Sequence, residues 1–176
     1  MNLLLETDRL ILRPWQESDV DHYMRLSKDI GYNSFCVPGQ FFVENDEQAK
    51  AKISQRVNLF RERGLGKFPV FIREDGEFIG TCGLDPYLVD GNAEIELGYR
   101  LLLRQWSKGY ATEAARAILR YGFEQLNLPR IIAFALPQNR ASINVIERME
   151  FDYLREFIHA GELHRLYEMK SPGKHE

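Results

Sequence analysis

The 176-residue chain carries 26 acidic and 23 basic side chains, a net charge of −3, with 44% hydrophobic and 28% charged residues. That length suits one domain spanning residues 1–176, with an ordered core at about 6–170, burying roughly two thirds of its unfolded surface. Without a basic excess, nucleic acid and anionic membrane are excluded as principal partners.

The opening MNLLLETDRL holds a short apolar run but no basic n-region, cleavage site or spanning segment, so a soluble, cytoplasmic protein is expected. Residues 9–14 (RLILRP) alternate like a strand and stop at proline. Ser18 is placed to cap a short helix over 19–30, with Val20, Tyr23, Met24 and Leu26 on its apolar side. Residues 31–45 have no period and are rich in aromatics: Tyr32, Phe35, Phe41 and Phe42. Cys36 lies there, far from Cys82, so neither a disulfide nor a zinc site is expected. A second helix is expected from Asp46 to about Arg63. Strands over 67–73 and 78–84 meet at Asp75–Gly76, a strong hairpin signal, and Pro69 puts the first near an edge or bulge.

Residues 93–101 form a third strand, with Ile95, Leu97, Tyr99 and Leu101 on one face and Glu94, Glu96, Gly98 and Arg100 on the other. The clearest helix covers 109–126, with an apolar stripe through Ala111, Ala114, Ala115, Ile118, Leu119, Gly122 and Leu126. Residues 130–136 form a buried strand. Asn139 or Gln138 caps a helix to about residue 150, and 151–159 with 163–170 close the chain as a hairpin around Ala160–Gly161. The last residues, SPGKHE, read as frayed. His22, His159, His164 and His175 show no metal-ligand spacing, so no metal is expected. Strands, then helix–strand–helix, then strands describe an α/β (α+β) fold with a mixed sheet.

The segment 101–112, LLLRQWSKGYAT, joins the third strand to the best helix. First-turn amides of a helix have no intrahelical partner, and its dipole adds about half a positive charge there. Gly109 and Ala111 leave room for an anion to reach the backbone, with Arg104 and Lys108 nearby. A phosphorylated ligand is the expected occupant. The plainer readings are a simple turn, solvated loop cations, a packing role for Trp106 and helix-capping roles for Asn139 and Ser142.

Three ordered stretches, TDRLILRPWQESD, AEIELGYRLLLRQWSKGYATEA and PQNRASINVIERMEF, resemble the GNAT N-acetyltransferases, in the branch with the RimJ/RimL-type enzymes. The resemblance covers almost the whole chain. It implies a largely antiparallel central sheet flanked by helices and acetyl-CoA as co-substrate. The family's Q/R-x-x-G-x-G/A loop falls on Trp106, Ser107, Lys108, Gly109, Tyr110 and Ala111, continuing into Thr112. Its amides are implied to cradle the pyrophosphate, with Leu102, Leu103 and Arg104 leading in and the Tyr99–Leu101 backbone pairing with the pantetheine arm. Trp106 stands where the family has Q/R, Ser107 where the branch often has glycine, and Glu150 where relatives often carry glycine before the aromatic. Asn139 and Ser142 are implied to lie beside pantetheine and thioester.

The resemblance further implies direct attack by an amine in a ternary complex. The backbone N–H near Leu101 would serve the oxyanion, and Glu96 would be the base, directly or through water, with Glu94 as second choice. The competing reading pairs both carboxylates with Arg100 on the surface. Ile146 occupies the position where many relatives carry a tyrosine that protonates the thiolate, so Ser142 takes that role. An α-amine, with a pKa of about 7.7–8.0, is easier to deprotonate than a lysine at about 10.4, which favours a protein or peptide N-terminus as acceptor. The 31–45 segment would wall a cleft for it or cap the core. Small-molecule acetylation (an antibiotic, polyamine or amino acid) and a non-catalytic acetyl-CoA-binding module remain the alternatives, and a homodimer stays open.

Overall fold

The computed structural model describes residues 3–172. Strands β1 (Leu5–Glu6) and β2 (Leu10–Leu12) precede α1 (Val20–Lys28), the single-turn α2 (Ile30–Asn33) and the long α3 (Asp46–Arg63). A meander of β3 (Gly66–Ile72), β4 (Phe78–Val89) and β5 (Asn92–Leu101) follows. Then come α4 (Tyr110–Arg120), β6 (Arg130–Ala135), α5 (Arg140–Arg148), β7 (Asp152–His159) and β8 (Glu162–Lys170). The strands form one sheet in the order β1-β2-β3-β4-β5-β6-β8-β7, antiparallel throughout except for parallel β5 and β6. This is the mixed, largely antiparallel sheet flanked by helices that the sequence predicts.

Period-two alternation divides the core by face. On one face Leu97 and Leu101 of β5 pack with Ala114, Ala115 and Ile118 of α4 and Ile143 and Ile146 of α5. On the other, Phe71 and Phe78 pack with Tyr23 and Leu26 of α1, Tyr32 of α2 and Ile53 of α3. A third, smaller cluster joins Val89, Ile132, Phe157 and Leu166, with Tyr87 and Phe134 packed against it.

Several expectations change on contact with tertiary structure. The helix predicted over 19–30 ends at Lys28, because Asp29 turns extended (φ −82°, ψ 123°) and caps α2 through the Tyr32 N–H at 2.8 Å. Asp19, rather than Ser18, stands at the α1 N-cap, and its carboxylate is drawn to Arg13 at 2.7 Å. The strand expected to end at Leu84 continues to Val89. β3 stops pairing at Gly66↔Leu84, so Pro86 sits where that side of β4 has no neighbour. Pro69 lies beside a register shift at Val70/Phe71, and its own N-side faces past the end of β2, where no ladder donor is needed. α4 gives way after Arg120 to one π-helical turn, Tyr121–Gln125, where Tyr121 Oη donates to Gly64 O at 2.8 Å. Ser171 is not frayed, since its N–H donates to Pro129 O at 2.9 Å. The rest of the tail, 173–176 with His175, lies outside the described residues.

Candidate active site

Because β5 and β6 are parallel and share a single register pair, Glu96↔Ile132, their C-terminal halves part. The gap opens into a cavity of about 450 Å³, lined by Leu97–Leu101 on one side and Phe134–Leu136 on the other. Leu102 N–H donates to Ile79 O on β4 at 2.9 Å, so alternation turns the Leu101 N–H the other way, into the gap. An unpaired strand edge of this kind is a template for an amide-bearing ligand. The cavity is lined by residues from both faces of the sheet, α4 and α5 on one side and 31–41 with the β7–β8 turn on the other.

On the α4 face the loop after β5 is held by its own side chains. Trp106 Nε1 donates to Leu101 O at 2.9 Å, so the indole braces the loop. Ser107 (φ 61°) and Gly109 (φ 82°) are both left-handed. That explains why glycine suits position 107 in similar chains; serine accepts the same conformation at a cost of about 1–2 kcal/mol. Gly109 is the α4 N-cap and offers no side chain, and the first helical bond runs from Glu113 N to Gly109 O at 3.1 Å. The amides of residues 109–112 therefore have no partner within the helix. A Cβ on Gly109 would meet only Arg9 Nη2 at 3.4 Å, so the approach is open.

Arg9 is a participant the sequence reading missed. Its Nη1 donates to Lys108 O at 3.0 Å, its guanidinium lies 4.7 Å from the Tyr110 ring centroid, and it pairs with Glu113 at 2.6 Å. Burial works against the Glu113 charge, but donors from Thr7 and Arg9 prevail and hold its carboxyl below the usual range. Its place in the quoted TDRLILRP stretch was the available signal.

Trp106, Ser107, Gly109, Tyr110, Ala111 and Thr112 line the cavity, as do Tyr99, Leu101, Asn139, Ser142 and Glu96. Four expected ligand residues do not. Leu102 is buried against α1 and α3, and Leu103 gives its N–H to Asp29 Oδ1 at 3.0 Å. Arg104 pairs with Glu77, and Lys108 Nζ donates to Gln105 Oε1 at 2.9 Å. For Leu103 and Arg104 a tertiary partner has taken the group that spacing alone left free.

Asn139 caps α5 by accepting from Ser142 N at 3.1 Å. Tyr99 Oη lies 2.9 Å from Ser142 O, to which it donates, and 3.1 Å from Ser142 Oγ. Burial pushes the Tyr99 phenol up, so it stays protonated. Ile146 is core, in line with its inability to act on a thiolate. Cys82 is fully buried and its thiol is pushed far up by burial, which removes it as a nucleophile. Cys36 borders the cavity and donates to Asn33 O at 2.9 Å.

On the opposite face Glu96 is buried, and its Oε2 lies 2.9 Å from Lys67 Nζ in an ion pair whose angles fall short of a hydrogen bond. Lys67 also faces Asp85 at 3.8 Å, and Asp85 takes Arg56 at 2.8 Å. Burial opposes the Lys67 charge, but Glu96 and Asp85 outweigh it and raise its pKa. The Lys67 side chain crosses β5 at Gly98, where a Cβ would force it to shift. Glu94 pairs with Arg130 at 3.0 Å and does not line the cavity. Neither carboxylate pairs with Arg100, which donates to the carbonyls of Tyr32, Ser34 and Phe35 and ties down the aromatic segment. That segment both caps and walls: Tyr32 and Phe41 are buried, while Phe35 and Val37 stay exposed at the cavity rim.

The β7–β8 hairpin brings two histidines to this wall, which no spacing in the sequence announced. Tyr87 Oη lies 2.6 Å from His159 Nε2, and the His159 and His164 ring centroids are 5.3 Å apart. All three residues line the cavity with Glu96.

A family model described as an acetyltransferase (GNAT) domain matches residues 9–152. An uncharacterized N-acetyltransferase, p20, of Bacillus licheniformis is 33% identical over 148 residues, 84% of this chain and 81% of that protein. The [ribosomal protein uS5]-alanine N-acetyltransferase of Escherichia coli is 24% identical over 168 residues, 88% of this chain and 82% of its own. Among solved structures, RimL, a ribosomal L7/L12 alpha-N-protein acetyltransferase in complex with coenzyme A, superposes with a TM-score of 0.81 at 16% identity. The match covers 96% of this chain and 98% of that one.

Proposed function

The chain belongs to the GNAT acetyltransferase family and is an acetyl-CoA-dependent N-acetyltransferase; from that premise we propose that its acceptor is the α-amine of a protein or peptide N-terminus. The observation that carries this reading is the cavity through the splayed sheet. What supports the reading is that uncapped amides and a free strand edge border it on one face, and a wall with an exposed rim at Phe35 and Val37 borders it on the other. The wall's carboxylate, Glu96, already faces a buried lysine, so the site has little spare basicity for a lysine acceptor at a pKa of about 10.4 and suits an α-amine at about 7.7–8.0. The name of the uS5-alanine relative points the same way.

The residues fit the donor. Uncapped amides of Gly109–Thr112 suit phosphate, and the β5 edge from Tyr99 to Leu101 suits the amides of a pantetheine arm. Acetyl-CoA supplies an activated acyl group on a sulfur leaving group. The Leu101 N–H faces the gap as oxyanion donor. With the Tyr99 proton on the Ser142 carbonyl, Ser142 Oγ keeps its own proton for the departing sulfur. Glu96 borders the reacting centre from the acceptor face as a compensated anion.

Two matched peptides test the acceptor, one with a free N-terminus and no lysine, the other N-blocked with one lysine. Faster thiol release from acetyl-CoA with the first is the expected result. A faster reaction with the blocked peptide overturns the reading, and turnover confined to small amines assigns the site to small-molecule acetylation.

A further inference from the structure

Glu96 is badly placed to take a proton. Neutralising it would leave Lys67, whose side chain is only 16% exposed, facing Asp85 at 3.8 Å as its remaining counter-charge. Losing one member of a buried pair is strongly unfavourable. The acceptor wall offers another proton path. Tyr87 on β4 projects from the same face of the sheet as Glu94 and Glu96, since Tyr87↔Glu94 and Asp85↔Glu96 are register pairs. Its Oη contacts His159 Nε2 at 2.6 Å and Nδ1 at 3.2 Å. His159 in turn is packed by Phe134 of β6, Phe157 of β7 and His164 of β8. His164 donates Nδ1–H to Glu162 O at 3.0 Å, which fixes its ring within the wall.

The geometry points to Tyr87 and His159 as the proton relay for acetyl transfer, with Tyr87 meeting the acceptor nitrogen and His159 receiving the proton; the assignment rests on the acetyltransferase reading above. The acceptor nitrogen's lone pair forms the C–N bond at the acetyl carbon, and the C–S bond breaks with its electrons leaving on sulfur. One proton of the now cationic nitrogen passes to Tyr87 Oη as the phenol's own proton passes to His159 Nε2. Tyrosine ends neutral and histidine ends as imidazolium, so charge and protons balance.

The surroundings suit both tasks. Burial pushes the Tyr87 phenol up to about 12, so it carries a proton to hand on. Burial, and then His164, hold the His159 pKa below the usual histidine value against the pull of Glu96, so the ring starts neutral at pH 7. The charged and titratable groups facing it are Glu96 from β5, Tyr87 from β4, and His164 and Glu162 from β8. Glu96, ion-paired with Lys67, draws charge towards the His159 ring and so favours the imidazolium once formed. Glu96 is thereby reassigned from base to electrostatic partner.

The test uses the full chain as wild type, Tyr87→Phe and His159→Gln, with acetyl-CoA and the free-N-terminus peptide. Each variant is expected to lose about 10²-fold in kcat while binding CoA like wild type. The pH profile separates a relay from a packing role. In wild type, log kcat/KM should fall with slope one below the amine's pKa and steepen to slope two below that of His159, which lies under the ordinary value of about 6.5. Both variants should keep slope one throughout, and the near-isosteric Tyr87→Phe decides the matter should His159→Gln fail to fold. Retained kcat with an unchanged slope-two limb overturns the relay and leaves acetyl transfer standing. Absence of amine-dependent thiol release in wild type overturns both.

Discussion

The two faces of the sheet build their halves of the site from different material. On the α4 face the cavity offers main chain: the amides of residues 109–112 and the β5 edge. On the opposite face it offers side chains from β3, β4, β5, the 31–41 segment and the β7–β8 hairpin. The consequence is a difference in tolerance. Trp106 and Ser107 depart from the family loop without removing an amide, because backbone donors belong to a conformation and not to a residue type. The acceptor wall has no such insulation, since replacing Tyr87 or His159 replaces the chemistry itself.

The strongest way to break the comparison is to attack the donor face through its conformation. Gly109 sits at φ 82°, where a β-branched side chain is disfavoured and where a Cβ would cover the amides. Gly109→Val should weaken CoA binding by at least about 10²-fold in a calorimetric titration, with the far-UV spectrum unchanged; wild-type affinity would mean the phosphates dock elsewhere.

A smaller effect is expected where the donor face does depend on a side chain. Ser142→Ala removes the hydroxyl next to Tyr99 and should slow turnover by roughly 10² while CoA affinity holds. Should Ser142→Ala turn over at the wild-type rate and Tyr99→Phe show the loss, the sulfur takes its proton from the phenol.

The smallest effect concerns stability alone. Glu150 is exposed at φ 64°, the conformation that explains the glycine of similar chains at this position. Glu150→Gly should relieve about 1 kcal/mol of backbone strain and raise Tm by about 2–4 °C without altering kcat. A lower Tm would show that the turn after α5 is held by its side chain.

Local rules read the donor half well for the same reason that it tolerates substitution. A strand, a short loop and a helix with a clean apolar stripe are contiguous in sequence, and the amides at the helix start follow from chain geometry. Their exact partners were beyond those rules. Arg104 reads as a loop cation until Glu77, 27 residues earlier, is folded against it, and Leu103 reads as a free amide until Asp29 takes it. Arg9 joins the loop from 99 residues away.

What the sequence by itself determined was most of the elements, the mixed sheet and the loop at 101–112, because each depends on periodicity or on bonds between near neighbours; the family was legible only through the resemblance of three ordered motifs. Only the tertiary structure decided what stands at the acceptor end. Lys67 reaching across Gly98 to pair with Glu96, and Tyr87 meeting His159 at a separation of 72 residues, are contacts between side chains far apart in the chain. Strand order and splay follow from how two faces of one sheet are buried at once, a global packing condition that no local spacing encodes.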